Sequence, residues 1–576
     1  MVNHTPSKGA HRLSHVSRLT LLALLSLALP AALGAQAADT VAAESSQDAL
    51  RLGERMYREG LLPSGEPMRA VVQGDIPVDG TMFSCESCHL RSGVGSIEGT
   101  VITLPTNAGW LFQPYRGARM TEIARERLPD HLRREESRPA YTEEGLARAL
   151  RVGVDPAGRK LEAVMPRYFL DDDDMAVMIH YLENLSAEPS PGVTESTLHF
   201  ATVISEGVDP EARAAMLLPL EAHVEATNTQ TRHQERRATS GPFFKEEKYT
   251  AYRRLDLSVW ELSGSPDTWR KQLEAHYEAK PVFALLGGIT AGPWWPIHEF
   301  CEDNQIPALF PITDFPVVSE SDWYTLYFSK GWYQEGEAVA RYLRGQDDIG
   351  PEVSVVQLFH DDPEGRALSR GLRETRRELG QPEVLDRVLD SNEILDKRFW
   401  RNLTESHGEA VFVLWLRGQD LANLDTLAES EGWPQLVFMS GPLLGEDIPD
   451  LPEAVRSFTF LTYPYSLPGE KPRADLAIRQ WLNSKHIPIT DERIQSKMYV
   501  LGWMLAGTIK MMRHDFYRDY FLDVTDMMRD QYYSVATYPR LSFGPGQRYA
   551  SKGCYLVQVG PGPEPELIKK AGWVIH

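Results

Sequence analysis

The sequence predicts a multidomain protein in which an all-α unit is followed by a larger, two-lobed α/β unit. Three observations lead to this prediction. The 576 residues are too many for a single hydrophobic core. The first third of the chain combines amphipathic helical segments with a Cys-x-x-Cys-His motif. From residue 198 onward, short apolar runs alternate with helical stretches, which is the pattern of parallel sheets covered by helices.

The first 37 residues have the features of a secretory signal peptide. Three basic residues and no acidic residue precede a short apolar stretch, Leu19 to Leu29, which is too short to span a bilayer. The segment Ala35-Gln36-Ala37 then supplies small residues at both positions that define a cleavage site. We therefore expect export to the periplasm, cleavage after about Ala37 and no membrane span.

The chain is acidic, with 81 Asp and Glu residues against 60 Lys and Arg residues and a net charge of −21. This charge argues against nucleic acid or an anionic membrane as a partner, and it favours steering toward a basic partner protein. The chain has only four cysteines, of which two belong to the motif. The sequence leaves open whether the other two, Cys301 and Cys554, form a disulfide.

The motif is Cys85-Glu86-Ser87-Cys88-His89, which is the attachment pattern for a c-type haem. In such a motif the two thiols bond to the vinyl groups of the porphyrin, and the histidine ligates the iron. Cys-x-x-Cys alone also occurs in redox dithiols and zinc sites, but the adjacent histidine and the export signal favour haem. We therefore predict one covalently bound haem c.

Two neighbouring segments fit a haem site. Ala49 to Gly60 is predicted to form a helix with Leu52, Met56 and Tyr57 on one face. After the motif, Ser92 to Gly99 is a glycine-rich loop whose backbone can approach the porphyrin closely.

The second axial ligand has several candidates downstream of the motif. They are Met120, His131, Met165, Met175, Met178 and His180. Met165 precedes a proline, which restricts its conformation, in a loop before a final helix that is predicted to start near Asp171 to Asp174. Met175 and Met178 lie on the apolar stripe of that helix and are expected in the core, whereas His180 is expected to face solvent. We therefore predict Met165 as the ligand.

The segment Tyr141 to Leu185, with its Met165-Pro166 pair and its closing Tyr181-Leu182, resembles the C-terminal half of a class I c-type cytochrome. The region after the motif is similar to cytochromes that accompany periplasmic quinoprotein dehydrogenases. The resemblance implies a cytochrome c domain over residues 45–187, His89/Met165 ligation, and electron transfer with redox partner proteins, a quinoprotein dehydrogenase being one candidate. With both axial positions filled, no catalytic residue is expected.

The same resemblance implies further contacts of the haem site. In the family a proline carbonyl accepts a hydrogen bond from the proximal histidine, and Pro105 is the candidate here. Arg116 and Arg119 are either partners of the haem propionates or ordinary solvated charges.

A linker rich in Ser, Pro and Glu is predicted over residues 188–197. After it, short apolar runs predict the strands of the second unit. They are Leu198 to Ser205, Val282 to Leu286, Ala308 to Phe310, Val353 to Phe359, Ala410 to Leu416 and Gln435 to Met439. A helix is predicted from Pro210 to about Ala226. No strand is followed by a Gly-x-Gly-x-x-Gly or Walker-type loop, so the sequence gives no support for nucleotide binding.

This order of strands and helices, together with stretches such as Phe283 to Pro311 and Val353 to Leu379, resembles the type I periplasmic solute-binding fold of the branched-chain amino-acid-binding group. The resemblance covers residues 198–576 and implies two lobes that close on a small solute. It places Gly288, Thr290 and Ala291 where the family binds a ligand carboxylate at a helix N-terminus, and Tyr463 at the cleft.

Other features of this unit leave alternatives open. Trp294 and Trp295 either line an apolar pocket or pack in the core. Asn228 to Lys248 replaces the glycine-rich first turn that is usual in the family, so amino-acid specificity is not implied.

Two functions follow from the sequence. The first is a periplasmic haem c electron-transfer protein, not an enzyme, whose second unit docks a partner or senses a solute. The alternative is a solute-binding receptor of an ABC-type uptake or sensing system that carries an accessory haem.

Overall fold

The structure is a computed structural model. It describes residues 46–98, 101–116, 137–240, 253–346, 349, 353–390, 393–429, 434–470, 472–527, 537–544, 546–562 and 565–575. The chain divides into two compact units, Met1–Glu188 and Pro189–His576. The predicted signal peptide lies outside the described residues. None of the described helices combines the length and apolar character that crossing a membrane requires.

The first unit contains five described helices. They are α1 over residues 46–59, α2 Cys85–His89, α3 Ala108–Leu111, α4 Glu143–Val152 and α5 Asp172–Asn184. Its strands are β1 Arg69–Val72, β2 Ile76–Asp79, β3 Ile97–Glu98, β4 Val101–Ile102, β5 Tyr115–Arg116, β6 Ser137–Arg138 and β7 Arg167–Tyr168.

The sequence analysis predicted an all-α first unit. This prediction is wrong, because the unit also contains short strands. Strands β2, β1 and β7 form a three-stranded antiparallel sheet. The cause is local, because Gln73 and Gly74 between β1 and β2 both have positive φ, as a tight hairpin connection requires. In β1, Ala70 and Val72 are buried and alternate with more exposed residues, which is the pattern of a strand with one face in the core.

The core of the first unit lies between α1, α4 and α5. Met56, Tyr57, Leu146, Met175 and Met178 are all buried in it, so the expectation that both methionines are core residues is confirmed. Helix α5 begins where the acidic run predicts, since the side chain of Asp171 accepts a hydrogen bond from the backbone N–H of Asp174 at 2.8 Å. His180 is half-buried, and its Nε2 lies 3.3 Å from Ser46 Oγ, so it does not simply face solvent.

The second unit contains two lobes, each built on its own sheet. The strands of the first lobe are β8 Thr197–Ser205, β9 Arg254–Leu262, β10 Ala284–Leu286, β11 Ala308–Leu309 and β12 Thr325–Leu326. Those of the second lobe are β13 Val355–His360, β14 Leu385–Leu389, β15 Val411–Trp415, β16 Leu436–Ser440, β17 Thr459–Tyr463, β18 Gly553–Val559 and β19 Leu567–Ile575.

The helices of the second unit cover these sheets. Their bounds are α6 Pro210–Ser240, α7 Trp269–Ala279, α8 Trp295–Asp303, α9 Tyr333–Arg344, α10 Pro363–Glu378, α11 Lys397–His407, α12 Thr426–Glu429, α13 Gly441–Leu444, α14 Glu453–Arg456, α15 Pro472–Ser484, α16 Glu492–Met512 and α17 Arg518–Met527. Helix α6 runs well beyond its predicted end near Ala226.

The sheet of the first lobe is parallel throughout, in the order β12-β11-β10-β8-β9. The second lobe has the order β14-β13-β15-β16-β17-β18-β19, in which β18 pairs antiparallel with both of its neighbours, β17 and β19. The two-lobed α/β architecture predicted for this unit is confirmed. The expectation of purely parallel sheets is wrong for the second lobe, because β18 follows a segment that returns from the first lobe rather than a helix on the sheet.

The chain passes between the lobes three times, and we call these segments the crossovers. The first covers residues 327–332, the second residues 464–470, and the third includes the described residues 537–544 and 546–552. The first and third are joined by backbone hydrogen bonds from Ala550 to Tyr327 (3.0 Å) and from Ser551 to Phe328 (2.7 Å). Between the second and third crossovers, α16 packs against α6 of the first lobe.

Candidate functional site

The Cys-x-x-Cys-His motif forms the short helix α2. Ser84 caps this helix, since its hydroxyl accepts a hydrogen bond from the backbone N–H of Ser87. Cys85 and Cys88 are three positions apart on the helix, so they share one face. Both thiols are free; Cys85 is buried and Cys88 is exposed. Burial raises the pKa of the Cys85 thiol to about 12, against a smaller opposing effect of a hydrogen bond with Tyr168.

His89 is oriented by one hydrogen bond to the backbone. Its Nδ1 lies 2.8 Å from the carbonyl oxygen of Leu104. Because a carbonyl only accepts, Nδ1 carries the hydrogen, and Nε2 keeps its lone pair for a metal. Burial lowers the pKa of His89, although the bond to Leu104 acts in the opposite direction. The imidazole is therefore held as a neutral ligand with a fixed tautomer.

The acceptor of this bond differs from the predicted one. The sequence analysis assigned the carbonyl of Pro105, whereas the structure uses that of Leu104, one residue earlier. The fold of the loop after the motif determines which carbonyl accepts the hydrogen bond from His89. Gly95 has positive φ, its backbone N–H donates to the carbonyl of His89, and a Cβ there would lie 2.2 Å from the carbonyl oxygen of Thr103. That close approach brings Leu104 beside His89.

Met165 and Cys85 share one hydrophobic core. Cys85 belongs to the cluster that contains Met56 and Tyr168, and the half-buried Met165 packs against the same cluster. The phenol of Tyr168 donates a hydrogen bond to the carbonyl of Phe83 at 2.6 Å. Thus β7, which directly follows the Met165-Pro166 pair, is joined to the residues that precede the motif.

The residues present fit a haem c. Among the described residues, Nε2 of His89 has no hydrogen-bond partner, and it stands on the same helix as two free thiols. Three large apolar side chains beside the motif and Met165 are exposed to solvent, namely Met82 (76%), Val164 (54%) and Phe169 (64%). A flat apolar porphyrin needs such a surface. The backbone of Arg116 is in β5, whereas its side chain, Arg119, Met120 and His131 lie outside the described residues.

The predicted carboxylate-binding loop of the second unit follows β10, but it is not at a helix N-terminus. Helix α8 begins only at Trp295, beyond Gly288, Thr290 and Ala291. The hydroxyl of Thr290 donates to the carbonyl of Gly292 (2.8 Å), and the backbone N–H of Ala291 donates to Ser205 Oγ (2.8 Å). These donors are therefore occupied within the first lobe.

The residues around this loop are packed rather than open to a ligand. Gly288 has a φ of +101°, and a Cβ there would lie 2.6 Å from the ring of Trp294. Trp294 is fully buried in the core of the first lobe, while Trp295 is partly exposed. The buried-packing alternative is thus the one observed for Trp294.

Tyr463 ends β17 in the second lobe. It is half-buried, burial raises its pKa, and its ring contacts Tyr465 edge-on at 6.1 Å. Among the described contacts, none joins Tyr463 to the loop after β10. The structure therefore does not bring the two predicted parts of the ligand site together.

A different set of side chains meets where the crossovers meet. We call it the crossover cluster, and it consists of Phe328, Ser329, Tyr465, Arg493, Lys497 and Tyr538. The rings of Phe328 and Tyr538 stack with centroids 6.1 Å apart, and those of Tyr465 and Tyr538 are 5.9 Å apart. The cluster thus takes a residue from each crossover.

Two cations of α16 complete the crossover cluster. The guanidinium of Arg493 lies 4.4 Å from the ring centroid of Tyr465. The ammonium of Lys497 lies 5.7 Å from the ring of Phe328 and 5.6 Å from that of Tyr538. These distances are within the range of cation–π contacts.

A small cavity adjoins the cluster and is lined by Asp314, Ser329, Glu335 and Tyr465 among others. Glu335 is buried, and its Oε2 accepts a hydrogen bond from the hydroxyl of Thr462 at 2.6 Å. Burial raises the pKa of Glu335 to about 8, against the hydrogen bonds from Thr462 and Ser440. The carboxyl group is therefore mostly neutral at neutral pH.

Sequence reasoning missed the crossover cluster. The sequence does contain one indication of this cluster. Lys497 is a basic residue on an apolar helical stripe that includes Ile494, Met498 and Leu501. The two cysteines that the sequence left open, Cys301 in α8 and Cys554 in β18, are both free and buried in different lobes.

No family model matches the sequence, and no curated protein is significantly similar to it. Among solved structures, a branched-chain amino acid ABC transporter from Thermus thermophilus with bound valine is 14% identical, with a TM-score of 0.41, over 66% of this chain and 97% of that one. A leucine-binding protein from Thermotoga maritima is 12% identical, with a TM-score of 0.41, over 66% and 99%. A solute-binding protein from R. palustris in complex with benzoate is 11% identical, with a TM-score of 0.40, over 66% and 97%.

Proposed function

We propose that the protein is an exported solute-binding protein that carries one covalently bound haem c. The second unit receives a small solute between its lobes, and the first unit holds the haem as an electron-transferring accessory. The observation that carries the solute-binding part is the crossover cluster, in which all three crossovers contribute aromatic or hydroxyl side chains and α16 adds two cations. A ligand held there contacts the segments about which the lobes would move.

The haem part of the proposal is supported by the geometry of His89. Its Nδ1–H···O=C bond to Leu104 leaves Nε2 as a neutral ligand, with Cys88 directly before His89 and Cys85 one helical turn before it. Met165 is proposed as the second residue that would ligate the iron, since it packs against the core that holds Cys85. Haem c supplies one-electron transfer when bound. Cys85, Cys88, His89 and Met165 would hold this group, and the exposed apolar side chains beside them would cover it.

The partners follow from the same proposal. An acidic chain with a net charge of −21 favours basic redox partner proteins, and a periplasmic quinoprotein dehydrogenase is one candidate. The second unit would serve an uptake or sensing system that recognises the solute-loaded form. The proposal assigns no catalytic residue.

Solute binding is tested by thermal unfolding of the haem-loaded protein against a library of small metabolites. A ligand at about 100 times its Kd should stabilise the native state by about 2.7 kcal/mol. Small-angle scattering should then show a more compact particle with that ligand than without it. If no compound raises the unfolding temperature, the solute-binding part of the proposal is wrong.

Covalent haem is tested by replacing both motif cysteines, Cys85→Ala and Cys88→Ala. The double variant should carry no haem after denaturing electrophoresis, because no thioether bond can form. Cys301→Ala is the matched control, since this cysteine is free and buried in the second unit, and it should keep the haem. Haem that remains attached to the double variant would refute the assignment.

A further inference from the structure

Lys497 occupies a position that would ordinarily hold an apolar side chain. It lies on the buried stripe of α16, and only 6% of its surface is exposed. Among the described residues, no carboxylate lies within ion-pair distance of its ammonium, and no hydrogen bond to it is observed. An ammonium group taken out of water needs a counter-charge, and contacts with two aromatic rings offset only part of that cost.

Arg493 lies one helical turn before Lys497 and presents a second cation to the same cluster. Its guanidinium stacks on Tyr465, which leaves the N–H groups in the guanidinium plane free to donate. Within the described part of the chain it forms no ion pair and donates no hydrogen bond. The side chain of Arg493 is exposed, so these donors are accessible to a ligand.

The acidic groups nearby do not neutralise this pair. Asp491 caps α16, where its side chain accepts a hydrogen bond from the backbone N–H of Ile494 at 2.9 Å. Glu335 is bonded to Thr462 and is mostly neutral at neutral pH. Asp314 is close enough to influence Arg493, but it lies beyond ion-pair distance. Among the described residues, no carboxylate therefore contacts the ammonium of Lys497 or the guanidinium of Arg493 directly.

Two cations close to the crossovers are ion-paired, unlike Lys497 and Arg493, whereas the buried Arg376, Arg456 and Arg518 donate to backbone carbonyls. Arg548 forms an ion pair with Asp526 at 2.5 Å. Lys330 forms one with Glu337 at 2.9 Å. Both of these ion pairs lie close to the crossovers. Lys497 and Arg493 lie in the same region without a carboxylate partner among the described residues.

We infer that the solute is a small organic anion whose carboxylate binds between Arg493 and Lys497 in the crossover cluster. The planar fork of an arginine matches two carboxylate oxygens, and the lysine adds a point charge. The rings of Phe328, Tyr465 and Tyr538 provide apolar surface for the organic part. This inference rests on the proposed solute-binding function and places the ligand's charge away from the loop at Thr290 and Ala291.

The test is calorimetric titration of the full haem-loaded protein with matched pairs of probes. The pairs are acetate and acetamide, isovalerate and isovaleramide, and benzoate and benzamide, with inorganic phosphate as an additional anion. At least one carboxylate should bind about tenfold or more tightly than its amide. Lys497→Met and Arg493→Gln should each weaken that binding about tenfold or more, which corresponds to about 1.4 kcal/mol.

Lys510→Met is the matched control, because Lys510 is exposed on the same helix and should not affect binding. Lys497→Met without ligand should be at least as stable as the wild type in urea unfolding, because an unpaired buried charge is replaced by an apolar side chain. Loss of stability in this variant would assign Lys497 a structural role and overturn the inference.

The remaining outcomes are also decisive. If an amide binds as tightly as its carboxylate, or if both variants bind like the wild type, solute binding stands and the inference is wrong. Binding of phosphate alone would assign the site to an inorganic anion and overturn the organic assignment. If none of the probes binds the wild type, the inference fails, while the proposed function is decided by the metabolite library.

Discussion

At the scale of single residues, the hydrogen bond between His89 Nδ1 and the carbonyl of Leu104 and the contact of Arg493 with the ring of Tyr465 define the two candidate sites. Cys85, Cys88 and His89 are identified by spacing alone, because the motif is defined by adjacent positions. The partner of His89 was not predictable to the residue, since the choice between Leu104 and Pro105 depends on how the intervening loop folds. Arg493 and Tyr465 are distant in sequence, and only the crossovers bring them together.

Met165→Ala should leave the haem attached but lower its midpoint potential. Methionine with histidine gives a higher potential than ligation without methionine, so loss of the thioether stabilises the oxidised form. A redox titration with visible spectroscopy measures this shift. Met511→Ala, a change at an exposed methionine of the second unit, should leave the potential close to that of the wild type. An unchanged potential in Met165→Ala would exclude Met165 as the ligand.

His223 should make the stability of the second unit depend on pH. It stacks on Trp481 at 4.3 Å, and its Nε2 is buried without a partner in the described part of the chain. Burial, with a smaller contribution from Lys485, lowers the pKa of His223 to about 4. Between pH 6.5 and 4 the unfolded state then binds a proton that the folded state does not. Stability should fall by up to about 3 kcal/mol across that range as pH decreases.

Urea unfolding at several pH values, followed by circular dichroism, measures this effect. His223→Phe keeps an aromatic ring at the stack and should reduce the slope of stability against pH. His486→Asn is the control, since His486 is exposed and its positive φ suits asparagine. An equal slope in wild type and His223→Phe would contradict the assignment to this histidine.

At the scale of elements, all six predicted apolar runs of the second unit coincide with strands, but six further described strands of that unit were not predicted. Strand β9 was missed although Arg254–Leu262 alternates apolar and polar residues, because the preceding segment gave no strand boundary. The antiparallel direction of β18 was not predictable from its own residues, since it depends on which lobe the chain comes from. Likewise, the short strands of the first unit follow from turn geometry at Gln73 and Gly74 rather than from long apolar runs.

The contact between α9 and α10 in the second lobe depends on two glycines. A Cβ at Gly336 would lie 2.2 Å from the carbonyl oxygen of Leu368, and one at Gly371 would lie 2.0 Å from that of Tyr333. Because these are backbone atoms, the helices must separate to admit a methyl group. Gly371→Ala should therefore destabilise the second unit by about 1–3 kcal/mol in urea unfolding.

Gly345→Ala provides the comparison for this prediction. Gly345 follows α9, has ordinary negative φ, and a Cβ there would make only normal contacts, the nearest at 3.6 Å. It should change stability by less than about 1 kcal/mol. Equal effects of the two substitutions would show that the close helix contact does not limit packing.

At the scale of the whole molecule, each unit has its own hydrophobic core and its own sheets. We therefore expect residues 189–576 to fold when expressed without the first unit. The fragment should show a cooperative urea transition and a near-ultraviolet dichroism spectrum typical of fixed aromatic packing. A fragment with far-ultraviolet signal but no near-ultraviolet signal would contradict this expectation.

The distribution of cysteines allows the opening of each lobe of the second unit to be followed by thiol labelling. If Cys85 and Cys88 bind haem as we propose, the remaining thiols are Cys301 in the first lobe and Cys554 in the second, both wholly inaccessible in the native state. A thiol reagent then reacts with each only when its own lobe opens. Following the two labelled peptides over time by mass spectrometry would time the opening of each lobe separately in the unmodified sequence, without an introduced probe.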